Sequence, residues 1–154
     1  MTKKNAKSKY LPLSFSTVFE YADTVGMRNF LKSLSDINAQ DKTGMSGLMF
    51  AARYGDLPTV EYCIKNGANA NLQNIKGDTA IMFAVKNNHN DVEYYLLTHC
   101  DIDLDIVNKA GKNVFDIAGK YGSAIVQGHL YEHLLTRYND KKQKLLEDAN
   151  VETK

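Results

Sequence analysis

The sequence predicts an all-α solenoid of stacked helix-turn-helix units with β-turn tips, about four units counting the caps. Three observations carry that expectation. The marker glycines Gly44, Gly77 and Gly111 are spaced by 33 and then 34 residues. The stretch from Asp41, DKTGMSGLMFAARYGDLPTVEYCIKNGANAN, recurs from Asn74 as NIKGDTAIMFAVKNNHNDVEYYLLTHCDIDLD. A weaker third copy, NKAGKNVFDIAGKYG, begins at Asn108 and then loses the second-helix pattern. Units of this length cannot bury their apolar faces alone, so stacking supplies the core and the terminal units are atypical.

Within each copy the local chemistry agrees with two packed helices. A glycine able to adopt positive φ opens the unit, and Ser46 or Thr79 follows as a helix N-cap. Ala51-Ala52 and Ala84-Val85 let the helices approach closely, and Gly67 suits a left-handed helix end. Met49, Phe50, Met82 and Phe83 repeat at the 33-residue period and are assigned to the core or inner face, as Tyr62, Tyr94 and Tyr95 are to second-helix packing. A one-residue insertion falls in Cys100–Val107, read as a lengthened loop in which Ile102, Leu104 and Ile106 alternate with acids as a short extended segment. After the third copy, HLYEHLLTRYNDKKQKLLEDA reads as an amphipathic helix. In it Leu130, Leu134 and Tyr138 cover the last repeat while Lys141, Lys142 and Lys144 face water.

These residues resemble the ankyrin-repeat family. Its pattern is Asp or Asn three before Gly, then T-P-L-H-x-A-A, a mid-repeat Gly, a second helix ending in Leu-Leu, and Gly-Ala with a following Asn. The first copy matches at Asp41, Gly44, Ser46, Leu48, Ala51, Ala52, Gly55, Val60, Gly67, Ala68 and Asn71. The second keeps Asn74, Gly77, Thr79, Ile81, Ala84, Val92, Leu96 and Leu97, but has Asn88 at the mid-repeat Gly and Cys100-Asp101 for Gly-Ala. The third keeps Asn108, Gly111, Phe115, Ala118 and Gly122. Upstream, Ala22 and Gly26 align with Ala51 and Gly55, and Asp36-Ile37-Asn38 with Asn69-Ala70-Asn71, as an N-terminal cap. The expected organisation is a disordered basic tail over 1–9 and a repeat domain over 10–140, with caps at about 14–40 and 108–140. A charged helix extension or tail over 141–154 completes it, frayed from about 149.

Composition bounds the function. The 154 residues suffice for one domain, 44% hydrophobic and 24% charged as in ordinary globular proteins, and the net charge of +1 argues against a nucleic-acid coat. No long apolar run or signal-peptide pattern occurs, so a soluble cytoplasmic monomer is expected, with secretion by a non-classical route left open. Cys63 and Cys100 have no paired-ligand spacing and are expected as free thiols.

The resemblance implies a non-catalytic protein-binding module that uses the concave face formed by turn tips and first helices. Carried onto matching positions, the tips are Lys42, Thr43 and Met45, then Ile75, Lys76 and Asp78, then Lys109, Ala110 and Lys112. The first-helix positions are Arg53 and Tyr54, Lys86 and Asn87, and Lys120 and Tyr121. Seven of these fifteen are basic and only Asp78 is acidic, which suits an acidic partner protein offering apolar anchors to Tyr54, Tyr121, Met45 and Ile75.

Two other readings have specific residues behind them. His129-Leu130-Tyr131-Glu132-His133 satisfies the H-x-x-E-H pattern of a zinc metalloprotease family, with only Glu147 and Glu152 downstream to complete a ligand set. Nine tyrosines and four histidines allow a carrier or accessory protein for a small ligand, haem or metal. No phosphate loop, dinucleotide fingerprint or nucleophile elbow is present, and no cofactor is expected.

Overall fold

Short polar side chains at free backbone N–H groups set where most helices begin. In the computed structural model, which describes Thr17, Val18, Glu20 and residues 23–151, seven helices run in sequence. They are α1 (Thr24–Ser33), α2 (Gly47–Tyr54), α3 (Leu57–Lys65), α4 (Ala80–Lys86), α5 (Asn90–His99), α6 (Val114–Tyr121) and α7 (Ala124–Val151). Asp23 caps α1 by accepting from the Gly26 N–H at 2.7 Å, Ser46 caps α2 and Asp56 caps α3. Asn113 and Asp116 form a reciprocal capping box on α6. Thr79 departs from expectation: it stands before α4 but makes no cap bond, and its hydroxyl is buried without a hydrogen-bond partner.

α2, α4 and α6 pack in file as an inner layer, and α1, α3, α5 and α7 as an outer one. Each inner helix also packs on the outer helix that follows it. The core is continuous through the stack: Leu48, Met49, Ile81, Met82, Leu96 and Leu130 are fully buried, with Phe50 and Phe83 beside them. The helices are short, so this shared interior rather than helix propensity stabilises them.

The tips explain why the repeat needs its Asp or Asn. The Asp41 carboxylate accepts from the Thr43 and Met45 N–H groups at 2.8 and 3.1 Å, closing the turn. Asn74 does the same for Lys76 and Asp78, and Asn108 for Ala110 and Lys112. Neighbouring tips then join: Ile75 N–H donates to Thr43 O at 3.1 Å and Lys109 N–H to Lys76 O at 2.9 Å. Gln40 and Gln73 each donate to carbonyls of their own and the next unit, and further down Asn38 and Asn71 each donate to a carbonyl of the next unit and accept from one of its N–H groups. Gly44 and Gly77 have φ of 74° and 79°, and a Cβ on them would meet the next tip's backbone at 2.7 and 2.8 Å. Asn88 takes the left-handed conformation, φ 56°, in place of the missing mid-repeat glycine.

Three expectations need correcting or completing. Gly26 does not end a first helix as Gly55 does; it lies inside α1, and Asp23 holds the place of Asp56, 33 residues on. Leu134 and Tyr138 do not cover the last repeat, being 47% and 63% exposed, while Val126 and Leu130 do. Leu134 lies level with α5 but off the side of α7 that His133 and Thr136 turn toward Tyr94, Leu97 and Thr98; further on, α7 with 28 residues outruns the 10 of α5, and residues 134–149 are all exposed. The expected boundary near 140 therefore falls within one helix, and the tails at 1–9 and 152–154 lie outside the described residues. The Cys100–Val107 loop buries Ile102 and Leu104 and exposes Asp101, Asp103 and Asp105 without forming a strand, and Arg137 fastens it by donating to Ile102 O at 2.8 Å.

Gly77→Ala is expected to lower stability in urea unfolding by about 1–3 kcal/mol from backbone strain, with the tip contact adding to it. Gly111→Ala, where a Cβ meets nothing, should cost only the strain. Leu130→Ala should cost about 2–5 kcal/mol by the same measurement, and Leu134→Ala less than about 0.5 kcal/mol.

Candidate partner-binding face

The tip ladder and the last turns of the inner helices bring the expected binding residues to one side of the stack. Lys42, Thr43, Ile75, Lys76, Lys109 and Lys112 are exposed at the tips, and Arg53, Tyr54, Lys86, Asn87, Lys120 and Tyr121 at the helix ends. Between tips and helices lie two adjoining depressions that share Ile75, Lys76, Asp78 and Lys86. One, of about 440 Å³ between the first two repeats, is also lined by Met45, Arg53 and Phe83. The other, of about 450 Å³, extends to Asn108, Lys109 and Ala110.

Met45 and Asp78 differ from expectation. Met45 is 5% exposed, with its sulfur 3.4 Å from Asn74 Nδ2, so it floors the depression rather than projecting as an anchor. Asp78 is buried, accepts from Asn108 Nδ2 at 2.8 Å and faces Lys86 Nζ at 3.9 Å. The one acid among these positions thus ties two tips together and leaves little of its carboxylate exposed in the depressions it lines.

Arg53, Lys86 and Lys120 occupy one position of successive repeats, as Tyr54, Asn87 and Tyr121 do beside them. The Arg53 guanidinium sits 6.0 Å from the Tyr54 ring centre and the Lys120 ammonium 4.9 Å from that of Tyr121. A hydrogen bond from Lys120, its charge and that of Lys86 pull the Tyr121 phenol below its ordinary pKa, and Lys120 is raised in return. The face has a cation at every step, aromatic rings at both ends and an apolar floor.

A family model for ankyrin repeats, comprising 3 copies, matches residues 19–108 and 48–142. The chain belongs to the ankyrin-repeat family. It is 32% identical over 106 residues to ankyrin repeat protein L92 of Acanthamoeba polyphaga mimivirus, covering 68% of this chain and 24% of that one. It is 31% identical over 80 residues to Rabankyrin-5 of Mus musculus, covering 52% and 7%. Against an ankyrin repeat protein of Rickettsia bellii it is 35% identical over 88 residues, covering 53% and 49%. The chain therefore spans less than half the length of each of these relatives. Among the described residues no helix is long and apolar enough to cross a membrane.

On the outer layer of this ankyrin stack the H-x-x-E-H residues take up a different task. His129 Nδ1 lies 2.8 Å from the Oε2 of Glu93, a fully buried carboxylate on α5. Glu93 stands 33 residues after Val60, where the first repeat is apolar, and its Oε1 has no hydrogen-bond partner. Sequence reasoning missed this pair, although an acid in an otherwise apolar slot was its visible sign. His129 and His133, with Tyr94, Glu132 and Thr136, line a depression of about 350 Å³ between α5 and α7. Tyr94, expected to pack, is 52% exposed with its ring 4.9 Å from that of His129. Among the described residues no group of three or more His, Cys, Asp or Glu side chains is placed to hold a metal ion. Burial, and secondarily the charge of Arg137, pulls His133 below its ordinary value. Cys63 and Cys100 are free, and burial with the nearby charge of Asp56 pushes the Cys63 thiol up to about 12, which makes it inert.

Burial raises the Glu93 carboxyl above its ordinary 4.5, outweighing the lowering by the hydrogen bond and charge of His129. An acid raised on folding is worth most when protonated, so its contribution falls as pH rises from 4.5 through the raised value. Glu93→Gln should therefore gain stability relative to the native chain across that window, a difference read from urea midpoints at successive pH values. A difference independent of pH would count against it.

Proposed function

We propose that this chain is a non-catalytic protein-protein interaction module that binds an acidic, partly apolar partner through the concave face of its ankyrin stack. Ankyrin repeats indicate protein-protein interaction, and proteins of the family are typically without catalytic activity. What a given member binds depends on its outward residues rather than its scaffold. Here the supporting observation is the trough of Arg53, Lys76, Lys86 and Lys109 over Met45, Phe83 and Ile75, whose nearby acid, Asp78, is turned inward.

Charge at the rim attracts and orients a partner, while desolvated apolar and aromatic contacts supply most of the affinity. The trough offers both within a short distance, which favours a protein over a polymer that is anionic alone. Exposed Tyr54 and Tyr121, each beside its own cation, are positioned as contact residues at the two ends.

Capture from a lysate of the native cell, repeated with an Arg53→Ala/Tyr54→Ala variant, tests the reading. Both residues are exposed, so the unfolding midpoint should stay put while affinity for the captured partner falls about thirtyfold. Undiminished capture would move the binding site off this face.

A further inference from the structure

We infer that the segment received by this trough is a polyproline II helix with an acidic side chain at every third residue, a reading that rests on the acidic-partner function proposed above. Arg53, Lys86 and Lys120 lie at one position of α2, α4 and α6; the first two line the trough and the third continues the row outside its lining. Those helices pack in file, so each cation is displaced from the last by one interhelical step of about 8–10 Å. A ligand that pairs with all three must present its carboxylates at the same step along one face.

Polyproline II meets this condition directly. It rises about 3.1 Å per residue with three residues per turn, so residues i, i+3 and i+6 share a face and are about 9.3 Å apart. In a β-strand the same-face neighbours are i and i+2, about 6.6 Å apart, and then i+4 at about 13 Å, both out of step. An α-helix repeats a face near the right distance only at i+7, about 10.5 Å, and its body is about 10–12 Å across. Lys86, whose ammonium is 3.9 Å from the buried Asp78 carboxylate, lines both depressions.

Backbone hydrogen bonding points the same way. Among the described residues the only bridge is an isolated one, Gln40 with Ser46, and the tip N–H groups of Ile75 and Lys109 are already spent on neighbouring tips. The trough therefore presents no sheet edge, and a strand laid in it would leave its ladder unpaired. A polyproline II backbone makes no internal hydrogen bonds, stays solvated and asks for none. Between two acids, one of the intervening side chains reaches the depression floored by Met45 and Phe83, so an aliphatic residue belongs there.

The test uses the full chain and three labelled synthetic peptides of identical length and composition, each with three glutamates, prolines and leucines. The glutamates recur every third residue in one, every second in another and every seventh in the last. Binding is read by fluorescence anisotropy at low and physiological salt. A triple Arg53→Ala/Lys86→Ala/Lys120→Ala variant is compared with Lys141→Ala/Lys142→Ala/Lys144→Ala, which removes the same charge from exposed positions on α7. The period-three peptide should bind about tenfold tighter than either other. Exposed charge contacts are worth up to about fivefold each, so the trough variant should lose roughly a hundredfold at low salt and the α7 variant little. Equal binding of all three peptides, abolished by the trough variant, would overturn the polyproline II geometry while leaving the acidic-partner function standing. No binding by any peptide, equal loss in both variants, or tighter binding of single-stranded RNA would overturn both. Circular dichroism of the variants separates lost contact from lost fold.

Discussion

Everything in this molecule depends on one tip resting against the next. A single helix pair leaves its apolar side open, and the stack closes it only if successive pairs keep a constant offset. That offset is held at the turn tips, where a carboxylate or amide oxygen of Asp41, Asn74 or Asn108 folds the turn and a backbone N–H of the following tip bonds across. Gly44 and Gly77 lie at the contact itself, where neither a side chain nor a right-handed backbone fits.

The same constraint generates the face proposed for binding. Fixing the offset lines up equivalent positions of each inner helix, so one cationic position per repeat becomes a row of charges, and Asp78 is drawn inward because the tip beside it needs an acceptor for Asn108. Scaffold and surface are therefore not independent: the buried acid that lines the trough beside Lys86 also ties two tips together. The apolar floor arises likewise, since Met45 and Phe83 belong to the core and show only an edge.

The stack was legible in the sequence because its requirements recur at a fixed interval: positive φ at Gly44, Gly77 and Gly111, small residues at Ala51 and Ala84, buried Met and Phe at 49, 50, 82 and 83. The tip and helix-end positions were legible for the same reason. What a period does not convey is where a side chain turns once neighbours surround it. Met45 and Asp78 sit at tip positions yet are buried, through contacts with Asn74 and Asn108 in the following repeat. Leu134 and Tyr138 continue an apolar rhythm along α7, on a side that no described element covers. Glu93 breaks the pattern at one place, and the period gives no sign of its partner, because His129 is 36 residues away in a motif with a different reading.

The Glu93–His129 pair also sets how the solenoid comes apart. In a linear array the free energy of each interface is nearly its own, so the array parts where an interface is weakest. The α5–α7 boundary carries a buried carboxylate with one oxygen unmatched, a desolvation cost that the apolar Val60 slot in the first repeat does not bear. That cost favours opening at the C-terminal side, where α7 would leave the stack.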